Sequence, residues 1–118
     1  MKRIDVMIVD DDQDLAESLA DLLAANGYQV EVATNGKEAV ERFRTKDYDI
    51  TFMDVRMPVM NGVDSFFEIR RFKPTAKIVL MTGFKEPIVS RALENGALGL
   101  LNKPFAAEAM LKLAESAN

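Results

Sequence analysis

Five short apolar runs, each followed by a stretch of helical periodicity, constrain this chain more than any other feature. The runs are Val6-Met7-Ile8-Val9, Gln29 to Ala33, Ile50-Thr51-Phe52-Met53, Ile78-Val79-Leu80-Met81 and Leu98-Gly99-Leu100-Leu101-Asn102. Strands alternating with helices predict a parallel sheet with helices packed on both faces. In 118 residues that is one domain, spanning 1–118, with an ample apolar fraction of 48% for its core.

Each intervening segment carries its own helix signals. Leu15, Leu19, Leu22 and Leu23 fall on one helical face, with Asp12 placed to cap the start and Asn26-Gly27 to stop it. A second helix is capped by Thr34 or Asn35 and buries Ala39, Val40 and Phe43. Pro58 and Asn61-Gly62 mark a loop before a third helix with Phe66 and Phe67 in the core. Pro87 opens a helix containing Ile88, Ala92 and Leu93, and the last helix turns Ala106, Ala109, Met110 and Leu113 inward. Asn-Gly occurs four times, yet each copy adjoins a helical pattern, so these are helix ends and loops rather than hairpins.

The residues that end the runs point to function. The first run ends in Asp10, Asp11 and Asp12, the third in Asp54, the fourth in Thr82 and the fifth in Lys103. Parallel strands deliver all of these to one sheet edge. In a doubly wound sheet ligands bind beyond the carboxyl ends of the strands, where the strand order reverses. The flavodoxin-like order 2-1-3-4-5 sets strands 1 and 3 side by side there, so Asp10, Asp11 and Asp54 meet in one pocket with Thr82 and Lys103 on its far side. Clustered carboxylates raise one another's pKa unless a cation sits among them. Oxygen ligands of this kind suit Mg²⁺, which takes one or two carboxylates plus water and phosphate oxygens. The set reads as a divalent-metal site for handling a phosphoryl group, with Asp54 as a nucleophile that is already ionised at neutral pH.

Composition removes the main competitors. With no Cys and no His there is no disulfide, thiolate site, histidine ligand or serine-histidine triad. A net charge of −4 opposes direct nucleic-acid binding. No run reaches membrane-spanning length, and the start is not a signal peptide, so a cytoplasmic protein is expected.

In order and spacing, these pieces resemble the receiver domain of two-component response regulators, including the chemotaxis and NtrC-type receivers. The matching residues are Asp10-Asp11-Asp12 after Ile8-Val9, the block Met53-Asp54-Val55-Arg56-Met57-Pro58 with Asn61-Gly62, the pair Thr82-Gly83, and Lys103-Pro104-Phe105. The resemblance implies that Asp54 is the phospho-acceptor, and that Asp10, Asp11, Asp54 and the backbone carbonyl of Arg56 hold Mg²⁺, with Asp11 the more direct ligand. It implies that Thr82 and Lys103 engage the phosphoryl group and that the Lys103-Pro104 bond is cis. It further implies a histidine kinase or phosphotransfer protein as donor and a downstream output protein or domain as target. The readout surface would be helix 4, strand 5 and helix 5, around Arg91, Glu94, Leu100 and Lys112, with a homodimer possible on phosphorylation. Such a domain is not an enzyme; it catalyses only its own phosphorylation and dephosphorylation.

The alternatives are a small aspartate-nucleophile phosphatase of haloacid-dehalogenase type, which Asp10 and Asp12 fit by spacing, a flavodoxin-like cofactor carrier, and a receiver-like protein-interaction module. The carrier would want Gly, Ser and Thr amides after strand 1 rather than three carboxylates. Two positions are distinctive for a receiver. Leu100 stands where an aromatic residue is common, three before the lysine. Phe84, two after Thr82, would flank the phosphoryl group together with Arg56, and a shielding ring there implies slow self-dephosphorylation.

Overall fold

The structure, a computed structural model, describes residues 3–117. Its elements alternate without exception: β1 (Asp5–Val9), α1 (Gln13–Ala25), β2 (Gln29–Ala33), α2 (Gly36–Thr45), β3 (Ile50–Asp54), α3 (Gly62–Phe72), β4 (Ile78–Thr82), α4 (Val89–Glu94), β5 (Gly99–Asn102) and α5 (Ala107–Glu115). The strands form one sheet in the order β2-β1-β3-β4-β5, and every pairing is parallel. This is the doubly wound α/β architecture that the run-and-helix alternation predicts.

Successive strand side chains point to opposite faces, so an apolar run fills two cores at once. Met7 and Val9 of β1, Met53 of β3, and Ile78 and Leu80 of β4 pack with Phe43, Phe66 and Ile69 of α2 and α3. Val6 and Ile8, Ile50 and Phe52, and Val79 and Met81 face the other way, onto Leu19 and Leu23 of α1 and Met110 and Ala114 of α5. Strand polarity and this alternation together fix where the strand-end side chains emerge.

Helix ends follow the Asn and Asp positions. Asp12 accepts the Leu15 N–H, Asn35 accepts the Glu38 N–H and Asn61 accepts the Asp64 N–H, capping α1, α2 and α3. Of the two residues offered for the second cap, Asn35 takes the role, while the Thr34 hydroxyl donates to Glu38. Gly27 and Gly96, with φ of +92° and +98°, end α1 and α4 in the left-handed region that favours glycine.

Several core assignments change. Ala106 is exposed because it precedes α5 as its N-cap, and Ala114 takes the inward place instead. Ile88 lies before α4 rather than within it, and the helix buries Val89 and Ala92 while Leu93 is 40% exposed. Phe66 is fully buried but Phe67 only partly, with the Arg91 guanidinium 5.1 Å from its ring centroid. Among the described residues no helix is long and apolar enough to cross a membrane.

Candidate functional site

Register brings the acids together. Val9 of β1 pairs with Met53 of β3, so Asp10 and Asp54, one residue further on, leave the sheet side by side. Asp11 follows in the turn before α1. Carboxylate oxygens of Asp10, Asp11 and Asp54 all lie within 4.8 Å of one another. Asp10 is 1% exposed and Asp54 7% exposed, while Asp11 is open to solvent.

Lys103 completes the cluster from across the sheet. It follows β5, and its amide donates to the Thr82 carbonyl at 2.8 Å. Its Nζ donates to Asp10 Oδ2 at 2.9 Å and lies 3.1 Å from Asp54 Oδ1. The Lys103-Pro104 peptide is cis, in line with the family resemblance. The other Asp10 oxygen accepts the Asp12 N–H at 3.0 Å, so both Asp10 oxygens are already engaged.

The cluster is electrostatically unbalanced. Burial, then the neighbouring Asp10 and Asp11 charges, push the Asp54 carboxyl above the ordinary aspartate range, against the lowering pull of Lys103. For Lys103, burial alone would lower the pKa, but bonding to Asp10 and Asp54 outweighs it and raises the value. One ammonium thus pairs with two of the three carboxylates, Asp10 and Asp54. A hard divalent cation fits this donor set, since it adds the missing positive charge and takes oxygen ligands.

Thr82 sits at the end of β4 and is 3% exposed, but its hydroxyl is turned to its own loop. It donates to the Phe84 carbonyl at 2.9 Å and accepts the Phe84 N–H at 3.1 Å. Thr82 follows Ile78 and Leu80 in alternation, on the α3 face of the sheet. Lys103 follows Leu101, which belongs to the α1 and α5 face. The structure therefore gathers Asp10, Asp11, Asp54 and Lys103 and leaves Thr82 beside them with its hydroxyl occupied.

The β3–α3 loop closes the mouth. Gly62 donates to the Val55 carbonyl, and a Cβ on Gly62 would lie 2.2 Å from the Asp54 carbonyl oxygen, so only glycine lets α3 begin this close to the acceptor strand. A cavity of about 410 Å³ opens there, lined by Asp11, Arg56, Met57, Pro58 and Glu86 among others. The Arg56 side chain crosses it, with Nε donating to Glu86 and the guanidinium 4.3 Å from the Phe84 ring centroid. Arg56 lines the mouth, and the Phe84 ring lies against its guanidinium from the β4–α4 loop. Glu86 is the part that sequence reasoning missed, because a lone acid in a loop carries no periodic or motif signal.

A sheet of this winding, with three acids and a lysine beyond its switch point, defines a class of protein whose site suits a hard divalent cation. The chain belongs to the response regulator receiver domain family, whose model matches residues 6–115. It is 40% identical over 102 residues to the chemotaxis protein CheY of Thermotoga maritima, covering 85% of each chain. It is 36% identical over 105 residues to the transcriptional regulatory protein ZraR of Klebsiella oxytoca, matching 88% of this chain but spanning only 24% of that relative's length. Among solved structures, the response regulator TrrA of Thermotoga maritima, crystallised in complex with Mg(2+)-BeF, superposes with a TM-score of 0.88 at 28% identity, covering 98% of this chain and 99% of that one.

Proposed function

We propose that residues 1–118 act as a phosphorylation-driven switch in which Asp54 is the phospho-acceptor. The observation that carries this is the convergence of Asp10, Asp11 and Asp54 oxygens within 4.8 Å, with Lys103 bridging two of them. The donor is a phosphohistidine on a partner histidine kinase or phosphotransfer protein, since this chain contains no His. An Asp54 oxygen bonds to phosphorus as the P–N bond of the donor breaks, its electron pair returning to the imidazole. Phosphoryl transfer needs mainly positioning and charge neutralisation.

Asp11, Asp10, Asp54 and the Arg56 backbone carbonyl would hold Mg²⁺. When bound, the ion supplies positive charge that keeps Asp54 ionised and offsets its repulsion of an incoming anion. Lys103 pairs with the phosphoryl oxygens, and Thr82 donates to one once its hydroxyl leaves Phe84. Modification shifts an existing equilibrium of the α4, β5 and α5 surface, around Arg91, Glu94, Leu100 and Lys112, toward an output partner or output domain. On this reading the domain works in the cytoplasm, binds no nucleic acid itself, can pair as a homodimer on phosphorylation, and turns over no substrate beyond its own phosphoryl group.

The phosphatase reading needs Asp10 as nucleophile and Asp12 as its acid. Asp10 is 1% exposed with both oxygens bonded, and Asp12 is committed to capping α1, so the geometry favours Asp54. The test is incubation with acetyl phosphate. Wild type should gain one phosphoryl group when magnesium is present and none in EDTA, and Asp54→Asn should gain none. Uptake by Asp54→Asn equal to wild type would overturn the assignment.

A further inference from the structure

Arg56 and Glu86 join the two loops that rim the acid pocket, and the pairing is lopsided. The Arg56 side chain is 63% exposed, whereas the Glu86 side chain is 16% exposed. Glu86 is thus a partly buried charge held by an exposed guanidinium. From Glu86 the connections run inward. Its carbonyl accepts the Val89 N–H that starts α4, a six-residue helix with no side-chain cap at its N-terminus. Two residues back, the Phe84 backbone holds the Thr82 hydroxyl through two hydrogen bonds. The far end of α4 is fixed separately, by Arg70 donating to the Gly96 carbonyl at 2.6 Å. The loop end of α4 is therefore held by the buried Val89 and by the loop that Arg56 grips through Glu86.

We infer that Arg56, Phe84 and Glu86 form a latch on the β4–α4 loop, opened when a phosphoryl group on Asp54 draws the Arg56 guanidinium away from Glu86. This rests on Asp54 being the phospho-acceptor. Arg56 is two residues from Asp54 and lines the same cavity as Asp11, so its side chain borders the space an incoming phosphoryl group would enter. A phosphoryl group carries a charge of about −1.5 to −2 and three acceptor oxygens against a single charge on Glu86. Arginine matches phosphate in a bidentate fork, which favours the exchange. Once Arg56 leaves, the Glu86 charge has lost its counter-ion and the Phe84 ring its cationic partner. The loop then shifts, and the Thr82 hydroxyl is freed to turn toward Asp54.

The latch also answers the lack of an aromatic residue at position 100. A cavity of about 360 Å³ lies between this loop, α4 and β5, lined by Thr82, Phe84, Glu86, Leu93, Leu100 and Asn102. Phe84 is 59% exposed in the resting state. Released from Arg56, its ring has that cavity beside it, so the loop itself supplies the aromatic group that β5 lacks.

The test is Glu86→Gln, an isosteric change in a surface loop, read by amide NMR on the full chain. Two kinds of signal report: the Arg56 Nε–H resonance, and the backbone amides of Phe84 and Val89. Spectra are taken before and after acetyl phosphate with magnesium, and mass spectrometry of the same samples verifies the label on Asp54. In the unmodified protein Glu86→Gln should move the Phe84 and Val89 amides part-way toward their phosphorylated wild-type positions, with a released fraction about two- to fivefold larger, as expected for losing a pair of this exposure. After phosphorylation, the Arg56 Nε–H should fall at the same position in wild type and variant. Amides that stay at resting wild-type positions in the variant overturn the latch. So does a labelled wild type whose Arg56 Nε–H stays at its resting, Glu86-dependent position. Absence of label on Asp54 refutes the acceptor assignment and the trigger with it, while the unmodified variant still decides whether Glu86 holds the loop.

Discussion

Replacing Lys103 with Met keeps the length of the side chain and deletes the one ammonium in the acid pocket. Its Nζ lies 2.9 Å from Asp10 and 3.1 Å from Asp54, carboxylates that are 1% and 7% exposed. At an effective dielectric of about 20, each attraction is of order 5 kcal/mol before desolvation is subtracted. Measured losses on removing one partner of a buried pair are about 3–5 kcal/mol. The lower end applies here, because Asp10 keeps its bond from the Asp12 N–H and the Lys103 side chain is 23% exposed. An unfolding entropy of about 2.1 cal/mol/K per residue turns about 3 kcal/mol into a Tm roughly 12 °C lower for 118 residues. Thermal melts of Lys103→Met in EDTA at neutral pH measure this directly.

The loss should depend on pH with a definite sign. The folded-state pKa of Asp54 is raised, so protonating Asp54 favours the fold, and that benefit is lost as pH rises through the folded value. Without Lys103 that pKa rises further, so the variant's deficit should shrink on acidification through the raised Asp54 range. Magnesium should stabilise the variant more than wild type, and Asp54→Asn should absorb part of the cost by coupling of neighbouring charges. A Tm within about 4 °C of wild type, or the same loss in an Asp54→Asn background, would refute the electrostatic account of the pocket.

Three further outcomes follow from particular side chains. Phe84→Ala should shorten the lifetime of the aspartyl phosphate, followed by loss of label after removal of donor, because the ring, against Arg56 at rest and released into the cavity beside Thr82 on modification, keeps water from the acceptor; an unchanged lifetime contradicts the shielding. Val59, a β-branched residue at φ 71° and 76% exposed, sits in the strained left-handed region, so Val59→Asn should stabilise by about 1 kcal/mol in urea titrations, and no gain would argue against that strain. Gly62→Ala should cost about 2–3 kcal/mol and lower phosphoryl uptake, since its methyl group would sit 2.2 Å from the Asp54 carbonyl oxygen; a loss under about 0.5 kcal/mol would mean the loop yields freely.

Much of the site was legible because strand polarity is a strong constraint. Once Val6 to Val9 and Ile50 to Met53 are parallel neighbours, Asp10 and Asp54 have little choice but to meet, and Lys103 arrives from β5 by the same rule. Alternation along β4 also carried information about Thr82, which shares the parity of Ile78 and Leu80 rather than that of Val79 and Met81. What the hydroxyl does there depends on loop backbone, and no periodicity encodes its bonds to Phe84. Glu86 was invisible for a similar reason, since its partner lies 30 residues away. Ala106 and Ile88 were misplaced because helix periodicity fixes a face but not where a short helix begins.

The most direct measurement is to trap the modified residue. Protein treated with acetyl phosphate and magnesium is reduced with borohydride, which converts an aspartyl phosphate to homoserine, and its peptides are sequenced by mass spectrometry. Homoserine at position 54 alone is the predicted result. Homoserine at position 10, with Asp54 untouched, would contradict the whole reading of the pocket.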